Sequence, residues 1–81
     1  MPGRNIEVEY CGRLSDVFGA RAELALPEGV ATVSSLRAHL DSDGQLLHAS
    51  VRAVVNDAVV PETHPVRDGD RVAFLPPVGG G

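Results

Sequence analysis

A single segment of this 81-residue sequence has the apolar spacing of a helix of two or more turns, and that segment constrains the fold most. Val33, Leu36 and Leu40 recur at i, i+3 and i+7, which places them on one face of a short helix, with Arg37 off that stripe. Thr32 can accept a hydrogen bond from an amide of the first turn and is the predicted N-cap. The helix must bury its apolar face against strands, because the sequence predicts no second helix.

Two strands are predicted before the helix. Ile6, Val8 and Tyr10 alternate with polar residues and should face inward, and residues 22–26 alternate in the same way. The two strands are close enough to pair as a hairpin, with residues 12–19 as the connection. The apolar residues expected to fold back from this connection are Leu14, Val17 and Phe18.

The remaining strands are predicted after the helix. Residues 51–55 are rich in β-branched side chains, and residues 58–60 form a short return strand after a tight turn at Asn56 and Asp57, which both tolerate positive φ. An Asp-Gly-Asp turn then leads into a last strand at residues 71–75. In that strand the predicted inward residues are Val72 and Phe74, and the outward ones are Arg71, Ala73 and Leu75.

This order predicts an α+β fold with a mixed four- to five-stranded sheet packed on one main helix. The first and last strands should lie side by side and parallel, because a hairpin, a crossover helix and a closing strand leave that position open. This is the β-grasp, or ubiquitin-like, arrangement. We expect a β-grasp domain over residues 1–77 and an extended, flexible Gly-Gly tail over residues 78–81.

Composition excludes several classes of function. The net charge is -4, and the seven basic residues are scattered arginines, which argues against nucleic acid or anionic membranes as partners. One cysteine allows no intrachain disulfide and favours a reducing compartment. The amino-terminal residues lack the apolar region of a secretory signal, and no apolar run is long enough to span a membrane. We therefore expect a soluble, cytoplasmic protein.

The sequence does not predict a metal site. His39, His48 and His64 lie far from the spacing of zinc ligands, and they are read as solvated or half-buried histidines. The acidic pairs are read as turn and cap residues, because they offer too few oxygens for a calcium loop. These pairs are Asp41 with Asp43 and Asp68 with Asp70.

Autonomous catalysis is also not predicted. No phosphate-binding loop, nucleophile elbow or nucleophile–base pair is present in the sequence. Cys11 follows Glu9 on the outward face of the first strand, whereas a nucleophilic cysteine needs an electropositive setting. We interpret Cys11 as a small apolar residue at a partner contact.

The carboxy-terminal stretch RVAFLPPVGGG carries the functional prediction. Pro76 and Pro77 remove two amide donors and hold φ near -65°, so the chain should leave the last strand stiffly. Residues 78–81 could then extend roughly 13 Å. Glycines lack Cβ atoms and can pass a narrow channel, which would present the Gly81 carboxylate as the reactive group. That carboxylate needs activation before acyl chemistry, so the chain is predicted to be a substrate and carrier.

The sequence resembles the small subunit of molybdopterin synthase, the MoaD-type sulfur carriers of the ubiquitin-like MoaD/ThiS family. The ending DGDRVAFLPPVGGG is similar to that family's last strand and Pro-Pro-Val-x-Gly-Gly terminus. LPEGVATVSSLRAHL is similar to its capped helix, VNDAVV to its central turn, and HPVRDGD to the segment before the last strand. The resemblance covers nearly the whole chain, and the Pro-Pro-Val segment is its most specific part.

This resemblance implies a non-catalytic, sulfur-carrying subunit of molybdenum cofactor biosynthesis. Gly80 and Gly81 match the terminal pair, with Gly81 adenylated and then converted to a thiocarboxylate, and Gly79 occupies the variable position before them. An E1-like (MoeB-type) adenylyltransferase would supply the activation, using ATP and a sulfur donor. The large (MoaE-type) synthase subunit would transfer the sulfur to cyclic pyranopterin monophosphate, typically within a heterotetramer.

Two positions depart from the family pattern. Leu75 stands where the family often has a phenylalanine, and Cys11 stands where an aromatic residue is common. Because both side chains are smaller than the family's, these changes affect the strength and specificity of docking to the partner. Both should face outward by alternation. The candidate partner-binding residues are Cys11, Val59, Leu75, Pro76, Pro77, Val78 and Gly79.

Two other functions remain open at this stage. A carrier serving thiamine, cysteine or tRNA thiolation would use the same tail chemistry with a different acceptor. A ubiquitin-like binding module would have the same fold and an inert tail.

Overall fold

The computed structural model describes residues 3–41, 47 and 50–77. The elements are, in chain order, β1 (Arg4–Tyr10), a 3₁₀ turn (Gly12–Leu14), α1 (Ser15–Phe18), β2 (Arg21–Leu26), α2 (Val33–Leu40), β3 (Arg52–Val55), β4 (Ala58–Val60) and β5 (Arg71–Leu75). None of the helices in this part of the chain combines the length and apolar content that a membrane crossing requires.

The strands form one five-stranded mixed sheet in the order β2-β1-β5-β3-β4. β1 and β5 are parallel, with Val8 opposite Val72 and Tyr10 opposite Phe74. The neighbouring pairs β1–β2, β3–β5 and β3–β4 are antiparallel. This topology confirms the predicted α+β, β-grasp arrangement, including its central parallel pair.

The turn between β3 and β4 follows the local chemistry of its two residues. Asn56 has φ of 51° and Asp57 has φ of 73°, so both occupy the left-handed region that Asn and Asp tolerate better than other side chains. Val55 pairs with Ala58 across this turn. The prediction of a tight turn here is confirmed.

The core lies between one face of the sheet and helix α2. Alternate strand residues and the α2 stripe meet there, as the pattern predicted, and Val33, Leu36, Val72 and Phe74 are fully buried. Among the described residues, the buried cluster consists of Ile6, Val8, Tyr10, Leu14, Leu26, Val30, Val33, Leu36, Leu47, Val51, Ala53, Val55, Val66, Val72 and Phe74.

The first turn of α2 has all of its amides satisfied. The Thr32 hydroxyl accepts from the Ser35 amide at 3.3 Å, and the Ser35 hydroxyl accepts from the Thr32 amide at 2.9 Å, which forms a capping box. The Val33 and Ser34 amides donate to backbone carbonyls within residues 62–64, each at 3.0 Å. The predicted N-cap is confirmed, and the loop that precedes β5 completes it.

The β1–β2 connection is more regular than predicted. It contains the 3₁₀ turn and the one-turn helix α1. Leu14 is buried and Phe18 stacks on Tyr10, with ring centroids 4.6 Å apart, so two of the three predicted apolar residues do fold back. The third, Val17, is 60% exposed, and the expectation that it folds back is wrong. A single helical turn cannot direct adjacent residues to the same side.

Arg37 is buried although it lies off the apolar stripe of α2. Its residue exposure is 8%, and its guanidinium lies 5.5 Å from the centre of the Phe74 ring. Glu62 pairs with it from outside, with Nη2 to Oε2 at 2.8 Å. The aliphatic part of Arg37 therefore packs over the core, its guanidinium contacts the Phe74 ring, and Glu62 forms a salt bridge with it.

Candidate functional site

The tail begins at the centre of the sheet. β5 is the central strand and pairs with β1 on one edge and β3 on the other, so the chain leaves the sheet from a strand that is hydrogen-bonded on both sides. Leu75 is the last residue of β5, and Pro76 and Pro77 are the last described residues. The predicted site residues Val78, Gly79, Gly80 and Gly81 lie outside the described residues, so their roles remain predictions.

The face of the sheet opposite α2 carries an apolar strip. Val54 lies opposite Ala73 on one side and opposite Val59 on the other, and Arg52 lies opposite Leu75. These partners share a face because directly opposed residues point the same way. The apolar strip therefore consists of Val59, Val54, Ala73 and Leu75, and it runs from the edge strand β4 toward the start of the tail.

Two members of the apolar strip are large hydrophobic residues exposed to solvent. Val59 is 64% exposed and Leu75 is 37% exposed. The structure thus places both predicted docking residues on one face. Val54 and Ala73 were not among the predicted docking residues. The alternation in β3 could have identified Val54, because Ala53 and Val55 face the core.

Charged residues border the apolar strip on one side. Glu7, Glu9, Asp57 and Arg71 surround a shallow hollow whose floor includes Val54 and Ala73. Arg71 lies 3.5 Å from Asp57, and Glu7 pairs with Arg21 at 2.9 Å. A partner that covers this face would meet an apolar centre with a charged edge, the usual anatomy of a protein interface.

Cys11 lies beside the tail exit and is half-buried. Its amide donates to the Phe74 carbonyl at 3.1 Å, which aligns it with Leu75 in the neighbouring strand. Burial, and then the negative charge of Glu9, raise the pKa of the Cys11 thiol above its ordinary value. A nucleophilic cysteine requires the opposite shift, so the geometry favours the predicted role as an apolar contact.

Other polar candidates have local structural roles. Asp68 accepts from the Asn5 amide at 2.8 Å, and Asp70 accepts from the Arg67 amide at 2.8 Å and from the Asn56 side chain at 2.9 Å. The turn interpretation of this acidic pair is confirmed. Within residues 3–41, 47 and 50–77, no three His, Cys, Asp or Glu side chains come together as a possible metal site.

The sequence is similar to two proteins that are described as sulfur carrier subunits. It is 43% identical over 86 aligned residues to the molybdopterin synthase sulfur carrier subunit of Escherichia coli, and the alignment covers 94% of this chain and 99% of that protein. It is 28% identical over 81 aligned residues to the protein of the same description from Haemophilus influenzae, with the same coverage of 94% and 99%.

A solved structure shares the fold. A chain in the complex of subunits 1 and 2 of the Helicobacter pylori molybdopterin-converting factor is similar with a TM-score of 0.65 and 24% identity, over 95% of this chain and 99% of that one. The likeness at this identity supports the β-grasp fold. The ThiS family model matches residues 8–81, which is nearly the whole sequence. The chain therefore belongs to the ThiS family of ubiquitin-like proteins.

Proposed function

We propose that this chain is the sulfur carrier subunit of a molybdopterin synthase in molybdenum cofactor biosynthesis. The observation that carries the proposal is its 43% identity, across 99% of the relative's length, to the Escherichia coli sulfur carrier subunit. The tail exit from the central strand agrees with this role, because β5 is held on both sides while the chain beyond it can enter a partner.

The reactive group in this proposal is the Gly81 carboxylate. Its oxygen attacks the α-phosphorus of ATP in an E1-like adenylyltransferase, and pyrophosphate leaves. Hydrosulfide from the sulfur source then attacks the acyl carbon, the acyl C–O bond breaks as AMP leaves, and loss of the remaining proton gives the thiocarboxylate. Gly80 and Gly79 supply the narrow approach. The chain contributes the acyl group and its presentation, and the catalytic groups belong to its partners.

The apolar strip is the proposed contact with the large synthase subunit. Its exposed members are Val59 and Leu75, and Leu75 is the last residue of β5, so one partner can bind the strip and receive the tail together. A few desolvated residues near the centre of an interface usually contribute most of its binding free energy. Cys11, Pro76 and Pro77 extend this contact toward the tail.

Intact-mass spectrometry tests the proposed chemistry. Incubation with a cognate E1-like enzyme, ATP and a sulfur source should raise the mass by one oxygen-to-sulfur exchange. The matched control is a chain that lacks residues 79–81, which should retain the fold and not gain sulfur because the glycine terminus is removed. An unchanged mass for the full chain under conditions that load a known carrier would refute the proposal.

The acceptor identifies the pathway. The loaded chain should support dithiolene formation when it is mixed with the large synthase subunit and cyclic pyranopterin monophosphate. Transfer to a thiamine, cysteine or tRNA-thiolating system, with none to the pterin, would assign it to a sister pathway. A Gly81 deletion that left the cellular function intact would instead favour an inert-tailed binding module.

A further inference from the structure

We propose that Gly12 is a positioning residue for the carrier tail, because the Pro76 ring packs against its backbone. We call the Gly12 backbone at this contact the seat. The seat sets the direction in which the chain leaves β5. This inference rests on the proposed function, since it concerns how the tail is presented to the enzymes that load and unload it.

The contact between Gly12 and Pro76 is a close one. A Cβ atom on Gly12 would lie 3.1 Å from the Cγ atom of Pro76 and 3.7 Å from its Cδ atom. Gly12 also has φ of +59°, a conformation that most side chains avoid. The absence of a side chain at this position therefore lets the proline ring lie directly over the backbone after β1.

Packing replaces hydrogen bonding at this point. The Cys11 amide bonds to the Phe74 carbonyl at 3.1 Å, so a continued parallel ladder would next need an amide at residue 76 directed at the Cys11 carbonyl. Pro76 has no N–H. The Cys11 carbonyl instead accepts from the Leu14 amide at 3.2 Å. The contact with Gly12 therefore helps to locate Pro76 on the β1 side where no ladder hydrogen bond can form.

The seat is itself held in place. The Ser15 hydroxyl donates to the Gly12 carbonyl at 2.8 Å, and Gly12 begins the 3₁₀ turn whose Leu14 side chain is buried in the core. The β1–β2 connection thus anchors the seat to the folded domain. Gly12 and Pro76 are more than 60 positions apart in the sequence.

A side chain at residue 12 would redirect the tail. The Pro76 Cγ and Cδ atoms belong to a ring that closes on the backbone nitrogen, so a ring displaced by a new Cβ carries the backbone with it. At 3.1 Å the ring must give by a few tenths of an ångström. Because misplacement of a reacting group by about 1 Å can cost up to roughly a hundredfold in rate, a loss of roughly three- to fivefold is expected. The apolar strip is unchanged by such a substitution, so docking should be retained.

Gly12→Ala and Gly19→Ala form a matched pair for the experiment. Both glycines lie in the β1–β2 connection and have positive φ. Gly19, with φ of 88° and ψ of 163°, occupies a region that is essentially restricted to glycine, and a Cβ there would meet no atom within 4 Å. Gly19→Ala should therefore lose at least as much stability as Gly12→Ala, without touching the tail.

The readouts are steady-state loading of the tail by the E1-like enzyme and urea unfolding of each variant. Gly12→Ala should lower kcat by roughly three- to fivefold with little change in KM, while Gly19→Ala keeps the kcat of the wild type. The double variant Gly12→Ala/Pro76→Ala should match the Pro76→Ala single variant, because removal of the ring removes the clash. In the wild type, NMR should show an Overhauser contact between the Gly12 Hα and Pro76 ring protons.

Different outcomes overturn different claims. A wild-type chain that is never loaded refutes the proposed function, and this inference falls with it. A loaded wild type with equal kcat for Gly12→Ala and Gly19→Ala refutes the inference alone. So does a Gly12→Ala defect that persists unchanged when Pro76→Ala is added, or the absence of the Gly12–Pro76 Overhauser contact.

Discussion

The pair formed by Arg37 and Glu62 should respond asymmetrically to the loss of either partner. The Arg37 side chain is 9% exposed, whereas the Glu62 side chain is 46% exposed. Three contacts join them: Nε to Oε1 at 2.8 Å, Nε to Oε2 at 3.1 Å and Nη2 to Oε2 at 2.8 Å. Removal of Glu62 leaves a buried cation without this carboxylate, while removal of Arg37 leaves an anion that water can reach.

The expected free energies follow from that difference. Loss of a carboxylate from a buried guanidinium costs 3–5 kcal/mol in fully buried pairs, and the exposure of Glu62 reduces this to about 2 kcal/mol for Glu62→Ala. Arg37→Met should cost about 1 kcal/mol, because the thioether replaces much of the contact with the Phe74 ring while the Leu47 carbonyl loses a donor at 3.4 Å.

Urea unfolding monitored by circular dichroism measures both values. The midpoints should fall in the order wild type, Arg37→Met, Glu62→Ala, with the slope m unchanged. In a domain of this size a loss of 1 kcal/mol lowers the melting temperature by roughly 4–8 °C. The double variant should be as stable as Arg37→Met alone, which corresponds to a coupling of about 2 kcal/mol. An Arg37→Met variant that is less stable than Glu62→Ala would refute the reasoning. Loss of the partner of the exposed Glu62 would then cost more free energy of unfolding than loss of the partner of the buried Arg37.

Two further predictions concern the outer face of the sheet. Val59→Asp should weaken binding to the large synthase subunit by roughly tenfold or more in a calorimetric titration. The control Val17→Asp, at a position in α1 that is 60% exposed, should leave the affinity unchanged, and equal effects of the two substitutions would show that Val59 is not in the interface. Because burial and Glu9 raise the pKa of Cys11, its alkylation by iodoacetamide should reach half its maximal rate at a higher pH in the folded chain than in urea. Glu9→Gln should lower that pH, and a half-maximal pH in the folded chain at or below that in urea would contradict the prediction.

The fold was largely predictable because most of the features that specify it depend on residues close together in the sequence. Alternation in β1 and β5 identified the buried residues Tyr10 and Phe74, and the structure places them opposite each other in the parallel pair. Thr32 was recognisable as a cap from its position before the helical stripe, and the turn at Asn56 from its tolerance of positive φ. Each of these features depends on neighbours within a few residues.

The candidate site was predictable only in part. Leu75 was identified by alternation and by resemblance, Val59 was named with it as a candidate docking residue, and the two do share one face. Val54 and Ala73 complete the apolar strip between them, which required the strand order as well as the strands. The domain boundary at residue 77 and the roles of residues 78–81 remain predictions.

The sequence by itself determined the strands, the capped helix, the turns and a terminus without side chains, because these depend on periodicity and on the conformational preferences of single residues. Tertiary structure alone decided that Arg37 is buried over Phe74 and that Gly12 seats Pro76. Both are contacts between residues far apart in the chain. No local pattern encodes them, since they exist only once the sheet has brought β1, β5 and α2 together.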